Sequence, residues 1–256
     1  MSIWPSYVGR ALRELGPATG SYVVHIADEF VDEFAPAGRE DLVLRYARPL
    51  PIQVTAGLLG MDERYAADIG QSLPALMGRS SHPEGAHKTI KSVCEHLVAE
   101  KAQAAGPDLV SWMLHHAPPE RHADIPRLVH RLLLGITATA TSRTILELSR
   151  CIPSSGGRAT GPASGDAGAV QGALPIGAQR VVGLLVATAV ERILSRLPDV
   201  RLRMPLAEVL WEPVLGVSCP QSLPAVFSPV GMRYTADEDI DWLPAPTFTS
   251  SPPTQS

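Results

Sequence analysis

The residues with chemical capacity fall into three groups. The first is GITATATSRT, residues 135–144, which carries Thr137, Thr139, Thr141 and Thr144 inside a long apolar run. On a helix, Thr137, Thr141 and Thr144 share one face. Two readings fit that stripe. The hydroxyls can bond back to the preceding turn while the methyls pack, or they can form the polar lining of a small-molecule pocket. The second group is HHAPPERH, with His115, His116 and His122, and His130 one face further on. Three imidazoles could hold zinc. Pro118 and Pro119 interrupt any fixed spacing, however, and no Cys or acid stands at ligand distance by pattern. These are read as surface-loop histidines, and no metal site is expected. The third group is the cysteines. Cys94, Cys151 and Cys219 are far apart, odd in number and form no CxxC pair, which points to a reducing compartment. Cys94 lies on an apolar helical stripe and reads as core. Cys219, in VSCPQSLP, reads as a small, semi-buried residue in a strand connection. Cys151 carries no assignment. SSGGRATG lacks the strand–loop–helix frame of a phosphate loop.

The elements that must position these residues are mostly helical. GSYVVHIADEFVDEF puts Val23, Ile26, Phe30 and Phe34 at helical spacing and ends at Pro36 and Gly38. DLVLRYARPLPIQVTAGLLG reads as helix interrupted at Pro49 and Pro51. DERYAADIGQSLPALMGR is a third helical stretch. In AHKTIKSVCEHLVAEKAQAAG, Ile90, Val93, Cys94, Leu97 and Val98 form an apolar stripe. PDLVSWMLHHA is a short helix, and HADIPRLVHRLLLGITATATSRTILELSR is the longest. Residues 154–173 are rich in Gly, Ala and Ser and read as a flexible linker. A helix over 178–196 follows, and DVRLRMP and SLPAVFSPV read as short strands. The expectation is one mainly α domain. Residues 1–153 form its helical part, 174–230 the final long helix and two or three short C-terminal strands, and 231–256 a tail without core-forming pattern.

Bulk properties exclude several classes. The 256 residues are 45% hydrophobic, 19% charged and only 5% aromatic, a globular composition with an aliphatic core. Net charge is −4, and no face-length Lys/Arg run exists, so no nucleic-acid partner is expected. No segment reaches the ~18 continuous apolar residues of a membrane span, and MSIWPSYVGR has no secretory-signal pattern. A cytoplasmic location is expected.

The order of segments resembles bacterial cytochromes P-450 of the actinobacterial natural-product type. EDLVLRYARPLPIQVTAGLLGMDE resembles the family's DLV, PLP and LLG steps. AHKTIKSVCEHLVAEKAQAAGPDLVSWML resembles its long helix with the segment that follows it. LVHRLLLGITATATSRTI resembles its central helix, and the segment from LVATAVERILSRLPDV to SLPAVFSP resembles its final helix and closing strands. The likeness covers most of residues 6–229 and implies a reduced version of that helical fold.

Departures from the family accompany the likeness. Aligned on GALPIGAQ, the position of the haem-ligating cysteine is Leu174, which has no lone pair to offer. Counting from Gly135, the central helix has Thr137 for the family's acid and Ala138 for its alcohol, with Thr139 matching the next threonine. An acid–alcohol proton relay is therefore not intact. The ExxR helix and the N-terminal sheet region have no counterpart in the chain. These departures imply a pseudoenzyme without haem, metal or monooxygenase activity. Three functions remain. One is an auxiliary protein of antibiotic biosynthesis that activates a partner such as a deoxysugar glycosyltransferase. Another is a haem-independent cyclase or isomerase that holds a polyketide- or peptide-type intermediate in an aliphatic pocket beside the threonines. The last is a decayed monooxygenase without activity. A homodimer is compatible with each.

Overall fold

A computed structural model describes residues 4–75, 83–154, 174–214 and 217–231. The helices are α1 (Ser6–Glu14), α2 (Ala18–Phe34), α3 (Pro49–Leu58), α4 (Glu63–Pro74), α5 (Pro83–Gln103), α6 (Leu109–His116), α7 (Ile125–Cys151) and α8 (Ile176–Arg196). A π-helical turn, Val43–Ala47, precedes α3. The helical stretch is interrupted as expected before Pro49: the turn Val43–Ala47 ends and α3 begins anew. Pro49 opens α3 and Pro126 stands at the start of α7, where a missing N–H costs nothing. Asp108 caps α6 by accepting from the Ser111 amide at 2.8 Å. Gly60, at φ +79°, ends the α3 segment in the left-handed region, and the Met61 amide turns back to the Ala56 carbonyl.

Among the described residues five strands accompany the helices, more than expected, and one comes early. β1 (Arg39–Asp41) pairs antiparallel with β5 (Pro224–Val226), and β5 with β2 (Arg201–Leu202), giving the order β1-β5-β2. β3 (Trp211–Val214) and β4 (Val217–Pro220) form a separate antiparallel pair. Asp41 locks the first sheet. Its carboxylate accepts from the amides of Val43 and Leu223 and from the Ser222 hydroxyl at 2.6 Å. The linker is described only at Ser154, which bridges to Leu202; its remainder and the tail beyond Gly231 lie outside the described residues.

α7 is the axis of the molecule and packs against α3, α5, α6, α8 and β4. The predicted α5 stripe is buried as expected. A charged cluster joins α2 to α8: Asp28 accepts both guanidinium arms of Arg192 at 2.8 and 2.7 Å and a third bond from Arg196 at 3.0 Å. Arg196 also reaches Asp32. Burial works against the Arg196 charge, but the bonds from Asp32 and Asp28 outweigh it and raise the pKa. Beside this cluster the Tyr46 hydroxyl donates to the Ala189 carbonyl at 2.9 Å.

Candidate functional site

The junction of α7 with the start of α8 is where the resemblance places its chemistry. Leu174 immediately precedes Pro175, which occupies the N-cap position of α8. The Gln179 side chain donates to the Leu174 carbonyl at 2.9 Å and fixes the backbone there. The Leu174 side chain is buried against Gly135 of α7. A Cβ added at Gly135 would stand 2.7 Å from Leu174 Cδ2. Gly135 thus lets the leucine rest directly on the α7 backbone.

Thr137, Thr139, Thr141 and Thr144 are all buried, and none of their hydroxyls has a hydrogen-bond partner. The back-bonding reading fails for them, although Ser142 and Ser149 on the same helix do bond back, to Thr139 and Leu146. At 3.6 residues per turn, Thr137, Thr141 and Thr144 lie about 180–240° around α7 from Gly135, while Thr139 lies only about 40° from it. The structure therefore separates the sites read from sequence. Thr139 shares the Leu174 side of α7, and the other three face the opposite side.

The histidines stay apart from this junction. His116 pairs with Glu14 at 3.0 Å, His122 bonds the Ala117 carbonyl, and His130 stacks edge-on with His87. Among the described residues no His, Cys, Asp and Glu group could hold a metal ion. Cys219 is in β4 itself rather than in a connection, fully buried, with its thiol toward the Ser142 carbonyl. Burial pushes the thiols of Cys94 and Cys219 up to about 12, so both are neutral at physiological pH. Cys151 is exposed at the end of α7.

Clefts open elsewhere among the described residues. One, of 690 Å³, runs between α2, α3 and α4 past Tyr22, Phe30, Ile52 and Met61. A second, of 1020 Å³, lies between α1 and the first turns of α8 and collects Arg10, Arg13 and Arg180. The third, of 390 Å³, lies between α4 and α5. No α7 residue lines any of the three. The arginine-lined cleft escaped the sequence reading because α1 went unrecognised. The available signal was Arg10 and Arg13, one helical turn apart in SYVGRALRE.

This arrangement of helices and two small sheets is the cytochrome P-450-like fold. CYP105P2 of Streptomyces peucetius, in complex with a biphenyl compound, superposes with a TM-score of 0.68 at 16% identity, covering 87% of this chain and 76% of that one. A variant of the mixed-function P-450 MycG in complex with mycinamicin IV superposes at 0.64 and 18% identity, covering 86% and 78%. In sequence, 96 residues are 31% identical to 6-deoxyerythronolide B hydroxylase of Saccharopolyspora erythraea. The match takes in 36% of this chain and spans 24% of the hydroxylase. No family model matches the chain. Among the described residues no helix is long and apolar enough to cross a membrane.

These likenesses correct one expectation. Relatives of this fold and sequence are P-450 proteins, which hold haem, so haem is the cofactor to expect here and the expectation of none is withdrawn. The residue that the resemblance sets at the ligand's place, Leu174, does not fit the group. Leu174 offers no lone pair, its side chain lies on the α7 backbone, and the described cysteines are two neutral buried thiols and one at the far end of α7.

Proposed function

We propose that this chain is a cytochrome P-450-like protein of actinobacterial secondary metabolism. In this reading it serves a partner biosynthetic enzyme, such as a deoxysugar glycosyltransferase, as an auxiliary protein, and it is not itself a monooxygenase. The observation that carries the proposal is Leu174 seated on Gly135. A P-450 oxidation needs a thiolate, and the position that the resemblance aligns with it carries a leucine side chain. The secondary-metabolism setting is supported by the relatives, one named for hydroxylation of 6-deoxyerythronolide B and one holding mycinamicin IV. The proposal rests on ligand chemistry at one position and not on cofactor content.

The test is co-expression of the full chain with a deoxysugar glycosyltransferase from its own host. We expect a stoichiometric complex and turnover that depends on the chain. A glycosyltransferase that is equally active alone and forms no complex would overturn the reading.

A second reading, a cyclase or isomerase that orients a polyketide- or peptide-type intermediate, rests on the buried threonine hydroxyls of α7, although no α7 residue lines a described cleft. Conversion of such an intermediate by the purified chain alone would put it first.

A further inference from the structure

The cleft between α1 and α8 has the make-up of an anion site, and neither proposed activity uses it. Arg10, Arg13 and Arg180 line it, and among the described residues no acidic side chain does. Arg10 donates one bond to the His116 carbonyl at 3.2 Å. Arg13 and Arg180 are in no ion pair among the described residues.

Three helices begin along this cleft. Pro5, Pro17 and Pro175 stand at the N-cap positions of α1, α2 and α8, and no side chain caps these termini, although at α2 the Thr19 and Gly20 amides already donate to the Gly16 and Pro17 carbonyls. Uncapped first-turn N–H groups carry a partial positive charge and favour anions. Thr19, in the first turn of α2, supplies an independent observation. It lines the cleft, is 4% exposed, and its hydroxyl has no hydrogen-bond partner. A buried donor left unmade is costly, so the Thr19 hydroxyl has a bond to offer a ligand oxygen.

The rest of the cleft is apolar apart from Ser6. Leu12 and Val181 line it, and Ile176, 72% exposed, and Leu184, 38% exposed, stand beside them. Gly177 allows this close α1–α8 contact, since a Cβ there would meet Leu12 Cβ at 2.6 Å. An inorganic ion would leave these side chains in water, and a neutral apolar molecule would leave the arginines without a partner.

We propose that the α1–α8 cleft binds an amphiphilic organic anion, with a phosphate or carboxylate head held by Arg13, Arg180 and Thr19 and an apolar body over Ile176 and Leu184. The site is independent of the auxiliary role proposed above.

The test is calorimetric titration of the full chain with hexyl phosphate, hexanoate, hexan-1-ol and inorganic phosphate. Trp4 lines the cleft and lies under the Arg131 guanidinium, so its fluorescence reports on occupancy. We expect one amphiphilic anion per chain, with binding that weakens as salt is raised. Whether hexyl phosphate or hexanoate binds more tightly identifies the head group. Inorganic phosphate should bind far more weakly and hexan-1-ol not at all.

Replacing Arg13→Gln and Arg180→Gln together should lower affinity at least about tenfold, since each charge-assisted bond is worth more than the ~1.4 kcal/mol of one decade. Both arginines are exposed, so the melting temperature should hold. Thr19→Val should weaken binding several-fold without loss of stability. The proposal is overturned if neither anion binds, if hexan-1-ol binds equally well, or if the double variant keeps wild-type affinity. Binding of hexaglutamate where neither amphiphile binds would also overturn it and assign the cleft to an acidic protein surface.

Discussion

Replacing Gly135 by Ala tests the contact on which the functional reading rests. An ideal Cβ at Gly135 lies 2.7 Å from Leu174 Cδ2 and 3.5 Å from its Cγ. Carbon pairs prefer about 3.5–4.0 Å, so the leucine tip must move by about 1 Å. Overpacking of that size costs about 1–3 kcal/mol. Against it stands the helix propensity of Ala over Gly, about 1 kcal/mol. The single variant should therefore fall between no change and a loss of about 2 kcal/mol. Leu174→Ala alone should lose about 2–5 kcal/mol, since it empties a buried site. In the Leu174→Ala background the clash is gone, and Gly135→Ala should stabilise by about 1 kcal/mol. Urea denaturation of the four proteins, followed by circular dichroism, gives the coupling, which should be about 1–3 kcal/mol. Equal effects of Gly135→Ala in both backgrounds would refute the contact. They would mean that Leu174 does not rest on α7 and that the space between α7 and α8 is open.

Asp28→Asn removes the carboxylate that joins Arg192 and Arg196 in a cluster where Arg196 is almost wholly buried. It should cost about 3 kcal/mol in denaturant midpoint analysis, as expected for a broken buried pair; a loss of only a few tenths would show that the cluster is loose. Thr141→Val replaces a buried hydroxyl without a partner by a methyl and should stabilise by about 1 kcal/mol. Destabilisation instead would show that the hydroxyl holds a ligand or a water. Asp199 accepts from the hydroxyl and the amide of Ser228, which holds its carboxyl below the ordinary 3.8. A depressed folded pKa gives stability that is full above the unfolded value and is lost as pH falls through the folded one. The stability of wild type and Asp199→Asn should therefore differ at neutral pH and converge below pH 3.8; parallel curves through that range would refute the assignment.

The helices were legible where an apolar period ran uninterrupted. Ile90, Val93, Cys94, Leu97 and Val98 formed one stripe in sequence and one buried face in the structure. α1 escaped notice because its 9 residues carry few large apolar side chains, and it is held by packing on α6 and α8 rather than by a strong pattern of its own. β1 escaped because a strand of three residues, Arg-Glu-Asp, has no hydrophobic alternation. It exists because β5, almost 200 positions further on, supplies its hydrogen bonds. The break before Pro49 was legible because a proline cannot continue a helix that precedes it, only open the next one.

The same division holds for the sites. The sequence alone determined that Leu174 cannot ligate a metal, that Thr137, Thr141 and Thr144 share a helix face, and that the chain is built mainly of helices. Those facts depend on side-chain chemistry and on the 3.6-residue turn, both of which are local. Tertiary structure alone decided that Leu174 fills the space above Gly135 and that three threonines face away from it. It also decided that Arg13 and Arg180 meet the open ends of helices far from them in the chain. Close approach and charge clustering are relations between distant segments, and only packing around α7 brings those segments together.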